Sequence, residues 1–121
     1  MLVVCFGGFS EATADQTFGN LMSPRDQIIH LIACSRATED FCNGKEVDWN
    51  SYGVDDTDWD SLLSQFSAQR AKAVSAIDPA KEDAYMHIYG FLAAHDSYHA
   101  GQLVALRLSL DPEWNSYEIY G

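Results

Sequence analysis

Two histidines, His95 and His99, stand four residues apart in the segment His95-Asp-Ser-Tyr-His99. On a helix that spacing turns the second ring only about 40° from the first, so both can reach one point. They lie within a run in which Ile88, Leu92, His95, His99, Gln102 and Leu106 recur at the core-facing spacing of a bundle helix. Two imidazoles buried side by side are costly: protonated they repel, and neutral each still needs a partner. A divalent metal removes the difficulty by taking one nitrogen from each neutral ring. Zinc helices of the HExxH type use the same spacing, although here Asp96 stands where their glutamate would be.

His30 supplies a third donor. It lies among Ile28, Ile29, Leu31 and Ile32, on a stripe continued by Cys34, Ala37 and Phe41. The plainer reading is a core histidine satisfied by a carbonyl, or one pointing to solvent. Three histidines from two helices would instead form a metal site with coordination left open for water or substrate, as catalytic zinc sites have. Cys34, one turn after His30, could point toward the site, and its plainer reading is a buried structural thiol. Gln102, one turn after His99, reads either as a polar support for a ligand or as a rim residue. His87 lies about 80° off the direction shared by the pair and is left out. No residue declares itself as a general base, and no cofactor-binding loop is present.

The elements that must position these side chains are helical. Ser23-Pro24 with Asp26 opens a helix, and Asn43-Gly44 stops it, giving about residues 24–43. A second helix begins near Thr57, with Asp60 as an acidic variant of the capping box, and ends at Asp78-Pro79. A third runs from Glu82 or Ala84 to Leu110, closed by Asp111-Pro112. Nothing alternates with period two for long enough to make a strand. The expectation is an all-α, up-down bundle in a single domain, residues 1–121. The acidic cluster Asp55, Asp56, Asp58 and Asp60 lacks the glycine and final glutamate of a calcium loop and reads as a solvated helix start.

Seven basic against 18 acidic side chains give a net charge of −11. A body that acidic repels phosphate backbones and anionic lipid, which argues against nucleic-acid and membrane partners. Cys5, Cys34 and Cys42 form no CxxC pair, and the last two would be about 12 Å apart along one helix. Reduced thiols in a cytoplasmic protein follow.

The segment His95-Asp-Ser-Tyr-His99-Ala-Gly101-Gln102-Leu103 resembles the HxxxHxGQ signature of the DinB-like superfamily. Ser23-Pro24-Arg-Asp-Gln-Ile-Ile-His30 resembles that family's second-helix motif. The resemblance covers about residues 10–110 and implies a four-helix bundle with a divalent metal, nickel, zinc or manganese, held by His30, His95 and His99. It also implies a metal-dependent hydrolase or thiol S-transferase acting on a small molecule, such as a low-molecular-weight thiol. Gly101 in that motif suggests a close helix approach. The departure is at the front. Only Met1–Phe9 precede Ser10-Glu-Ala-Thr, so three long helices plus a short N-terminal stub are expected. The flank thus left apolar invites a homodimer, with Leu2, Val3, Val4, Phe6 and Phe9 near the shared surface; the other reading is that this stub and the aromatic tail 113–121 together patch the flank of a monomer. The alternative is a non-catalytic acidic helical module whose metal site is structural or vestigial.

Overall fold

The computed structural model describes residues 1–121 and is all-helical. In chain order it has α1 (Leu2–Phe6), α2 (Pro24–Cys42), a 3-10 turn at Trp49–Ser51 and α3 (Trp59–Ala76). A π-helical segment (Met86–His95), α4 (Asp96–Leu110) and a 3-10 turn at Ser116–Tyr120 complete it. No helix is long and apolar enough to cross a membrane.

The borders of α2 follow from its terminal residues. Ser23 Oγ accepts from the Asp26 backbone N–H at 3.1 Å, and Pro24 fills the first position, where no donor is needed. At the far end Gly44 adopts φ +73°, Lys45 N–H bonds Asp40 C=O at 2.8 Å, and Gly44 N–H bonds Phe41 C=O at 3.1 Å. That is a Schellman closure, which needs a left-handed residue and so favours glycine.

The start of α3 differs from the expected one. The helix begins at Trp59, two residues beyond Thr57, and neither Asp58 nor Asp60 caps it by side chain. Glu11 does so from 48 residues away, its Oε2 accepting the Trp59 N–H at 2.6 Å. Arg25 on α2 fixes that carboxylate at 2.7 Å, pairs with Asp15 at 2.8 Å, and reaches the Thr57 carbonyl. A nonlocal cap replaces the local one because residues 10–15 fold back across the entrance of α3.

The third helix also differs. An unbroken α-helix to Leu110 was expected, but residues 86–95 are wound with the i→i+5 pattern of a π-helix. Wider winding takes residues four apart off a common face, so the heptad projection fails there. Ile88 is exposed, and Leu92 is only half-buried. From Asp96 the winding is α, and His99, Leu103 and Leu106 are buried as their spacing predicts.

The core joins α1, α2, α3 and α4 through Phe6, Ile28, Leu31, Ile32, Trp59, Leu62, Phe66, Leu103 and Leu106. The N-terminal stub belongs to it. Leu2, Cys5, Phe6 and Phe9 are buried within the same chain, while Val3 and Val4 remain exposed. Leu2, Phe6 and Phe9 therefore do not lie on an open surface, contrary to the placement expected from sequence. Trp59 Nε1–H bonds the Phe9 carbonyl at 3.0 Å and Phe6 meets Trp59 edge-on, so α1 fills the gap between α3 and α4. Arg107 bonds the Val4 carbonyl at 2.9 Å and lies 3.7 Å over the Trp114 ring, binding the C-terminal segment to the same end. Tyr117 and Tyr120 of that segment stay exposed. Gly101 has open space where a Cβ would stand, so no close helix approach explains it.

Candidate metal centre

The fold brings His30 of α2 against His95 and His99 of the last helical stretch. His30 Nε2 lies 3.3 Å from His95 Nε2, and His95 Nε2 lies 3.2 Å from His99 Nε2. Three ring nitrogens that repel as lone pairs or as protons are thus held at one place. A tetrahedral centre with metal–nitrogen bonds of about 2.0–2.1 Å has nitrogen–nitrogen edges of about 3.3–3.4 Å. The two separations are close to that edge.

Gln27 decides which nitrogen of His99 is free. It is wholly buried, and its Nε2 donates to the Met22 carbonyl at 2.8 Å. Its Oε1, 2.9 Å from His99 Nδ1, can only accept. His99 therefore carries its proton on Nδ1 and turns a bare Nε2 lone pair toward His95. A ligating histidine commonly gives its other N–H to such a partner, which fixes tautomer and ring orientation. Sequence reasoning missed Gln27. The available signal was a polar residue three positions before His30, on the same helical face and inside an isoleucine-rich stretch.

Cys34 is buried, as expected, and also points toward the site: its Sγ lies 3.5 Å from His30 Nε2 and 3.9 Å from Nδ1. His30, Cys34 and His95 form a group able to hold a metal ion, their donor atoms within 4.8 Å of one another. His87 stands apart, against the Phe41 ring and 4.0 Å from the Asp83 carboxylate. Gln102 holds a buried Oε1 with no partner, and His95 Nδ1 is likewise buried and unpaired. Tyr98 is exposed beside His99.

One ionic group fastens the three helices around the site. Arg70 of α3 grips Asp96 with both terminal nitrogens, at 2.5 and 3.1 Å, and donates from Nε to Ser35 Oγ of α2 at 3.2 Å. Asp96 directly follows His95, so this fork fixes where the helix enters the site. Phe91 stacks on the His95 ring with an interplanar angle of 21°.

The electrostatics favour neutral imidazoles at His95 and His99. Burial, then the neighbouring His95 and His30, lower His99 to about 4. Burial and then His30 lower His95. Burial raises the Cys34 thiol, with Arg70 opposing. Neutral imidazole is the form that ligates a metal. A cleft of about 230 Å³ is lined by Cys34, Ala37, Phe41, Trp49, His87 and Phe91 among others.

The residues present fit a divalent ion. Around His95 Nε2 two other ring nitrogens lie at hydrogen-bond distance, and that atom offers at most one proton between them. His99 cannot supply a second, because its proton faces Gln27. A cation would supply what these nitrogens lack. The chain matches no family model, no curated protein and no solved structure.

Proposed function

We propose that this protein is a metal-dependent enzyme of the DinB-like type, a hydrolase or a thiol S-transferase, with a divalent ion held by His30, His95 and His99. One observation carries the reading: the three Nε2 atoms stand in succession at ligand-edge distances, with the His99 lone pair aimed by Gln27. A bound ion supplies Lewis acidity that makes a nucleophile available at neutral pH. His30 and the His95/His99 pair hold it from two helices. Gln27 keeps His99 in the ligating tautomer, and the Arg70–Asp96 fork keeps His95 in place. The cleft above Cys34, walled by Phe41, Trp49 and Phe91, suits an apolar portion of a small substrate. The acidic surface disfavours nucleic acid and anionic membranes as partners, and the thiols suit a reducing cytoplasm.

Elemental analysis of protein purified without a metal-affinity tag tests this. Near-stoichiometric nickel, zinc or manganese supports it; metal-free protein that takes up none of the three on incubation refutes it. One observation favours a second reading, a non-catalytic helical module with a structural metal: Cys34 is a fourth donor, and four protein ligands close a site. Turnover of thiol or ester substrates by the metal-loaded protein, lost in His95→Ala, separates the two.

A homodimer remains part of the proposal, with its surface relocated. The stub is spent inside the chain, whereas Tyr85 and, in the π-helical stretch that follows it, Met86, Ile88 and Tyr89 are exposed. Light scattering at micromolar concentration is expected to give twice the chain mass; a single-chain mass unchanged on concentration rejects the dimer.

A further inference from the structure

We propose that Cys34 is the fourth ligand of the resting centre, giving a tetrahedral site of three nitrogens and one sulfur, and that the ion it selects is zinc. The inference rests on the reading that the three histidines hold a metal, and it adds the sulfur and the identity of the ion.

The first argument is the pairing of helices. Each of the two helical stretches at the site contributes two donors four residues apart, His30 and Cys34 from α2 and His95 and His99 from the other. An i, i+4 pair projects both side chains from one face, so two such pairs meeting face to face present four donors to one volume. The second argument is distance. With a metal–sulfur bond of about 2.3 Å and a metal–nitrogen bond of about 2.05 Å, the tetrahedral sulfur–nitrogen edge is about 3.5–3.6 Å. Cys34 Sγ lies 3.5 Å from His30 Nε2 and 3.9 Å from Nδ1 of the same ring, so it stands beside the ring, and a turn of the ring or the thiol brings it onto the edge a shared ion requires. The edge from Sγ to His95 lies within the 4.8 Å bound of the group His30, Cys34 and His95; His99 stands outside that group and joins it through its 3.2 Å contact with His95 Nε2, and a bound ion draws the four donors together.

The third argument is access. Cys34 is almost fully buried, yet it is among the residues that line the cleft with Phe41, Trp49 and Phe91. Metal enters by that route, and the sulfur ligand stands on the side from which a substrate would arrive. The site is closed at rest, and its exchangeable position faces the cleft. A thiolate with three imidazoles in tetrahedral array suits zinc; manganese prefers oxygen donors in octahedral array.

The test is made on the full chain, with cobalt(II) as a spectroscopic substitute for zinc. Wild-type protein is expected to bind one cobalt with intense tetrahedral visible bands and a near-ultraviolet sulfur-to-cobalt charge-transfer band. Cys34→Ser is expected to bind cobalt without that band and to hold zinc roughly tenfold more weakly or worse. Cys5→Ser and Cys42→Ser keep the band. X-ray absorption of the wild-type zinc protein, which needs no variant to fold, is expected to show one sulfur at about 2.3 Å. Cobalt bound with no charge-transfer band, or a zinc shell of nitrogen and oxygen only, overturns the assignment of Cys34 and leaves the three-histidine reading standing. A chain that binds neither ion overturns both.

Discussion

Replacing Gln27 by methionine isolates the part of the site that aims His99. The side chains are similar in volume, so packing of this wholly buried position is largely kept. Two hydrogen bonds are lost, to the Met22 carbonyl at 2.8 Å and to His99 Nδ1 at 2.9 Å. Met22 lies at the surface, where water replaces the lost donor, but His99 is only 2% exposed and has no such substitute. An orphaned buried donor costs about 1–3 kcal/mol, so the metal-free variant is expected to lose that much stability. The ring is also freed to carry its proton on Nε2, the atom that faces His95 at 3.2 Å and would ligate a metal. Losing such a supporting partner weakens metal affinity by roughly 10–100-fold, or about 1.4–2.8 kcal/mol. Competition for zinc against a chromophoric chelator at pH 7.5 reads the affinity, and urea denaturation of the metal-free chain reads the stability. Gln27→Glu, which still accepts from Nδ1–H, is expected to hold zinc at least as tightly as wild type. If Gln27→Met loses stability but binds zinc as wild type does, Gln27 only packs, and tautomer control is wrong.

His95→Ala and His99→Ala are each expected to abolish stoichiometric metal, and His30→Ala to weaken it, as read by native mass spectrometry. Arg70→Met leaves the Asp96 carboxylate unpaired in a part-buried position and is expected to cost about 3 kcal/mol, visible as a lower urea midpoint with an unchanged slope. The metal-free protein is expected to weaken on acidification. His99 titrates near 4 when folded against 6.5 for the free side chain, so the unfolded chain takes up the proton first. Stability is full above pH 6.5 and falls as pH drops toward 4, by about 2 kcal/mol between pH 7.5 and 5 from this residue alone. Equal urea midpoints at those two pH values would contradict a neutral, buried His99.

The sequence alone determined the helical class, the ends of α2 and the approximate place of the site, because these depend on local rules. Ser23-Pro24 satisfies or removes the first backbone donors of α2, and Gly44 takes the left-handed closure. The four-residue spacing of His95 and His99 places both rings on one side whatever lies opposite. What stayed hidden depends on residues far apart in the chain. Glu11 caps α3 because the segment before α2 crosses its entrance, which no local pattern announces. Gln27 controls His99 only because α2 and α4 bring residues 72 positions apart into hydrogen-bond contact. Cys34, a buried thiol on its own helix, became a candidate donor only once His30 and His95 converged beside it. The π-helical winding of residues 86–95 moved Ile88 outward, because spacing along the chain predicts a face only when the turn is already known. Periodicity reports which side of an element is apolar, whereas the tertiary structure decides which groups meet, and the chemistry of this site lies in those meetings.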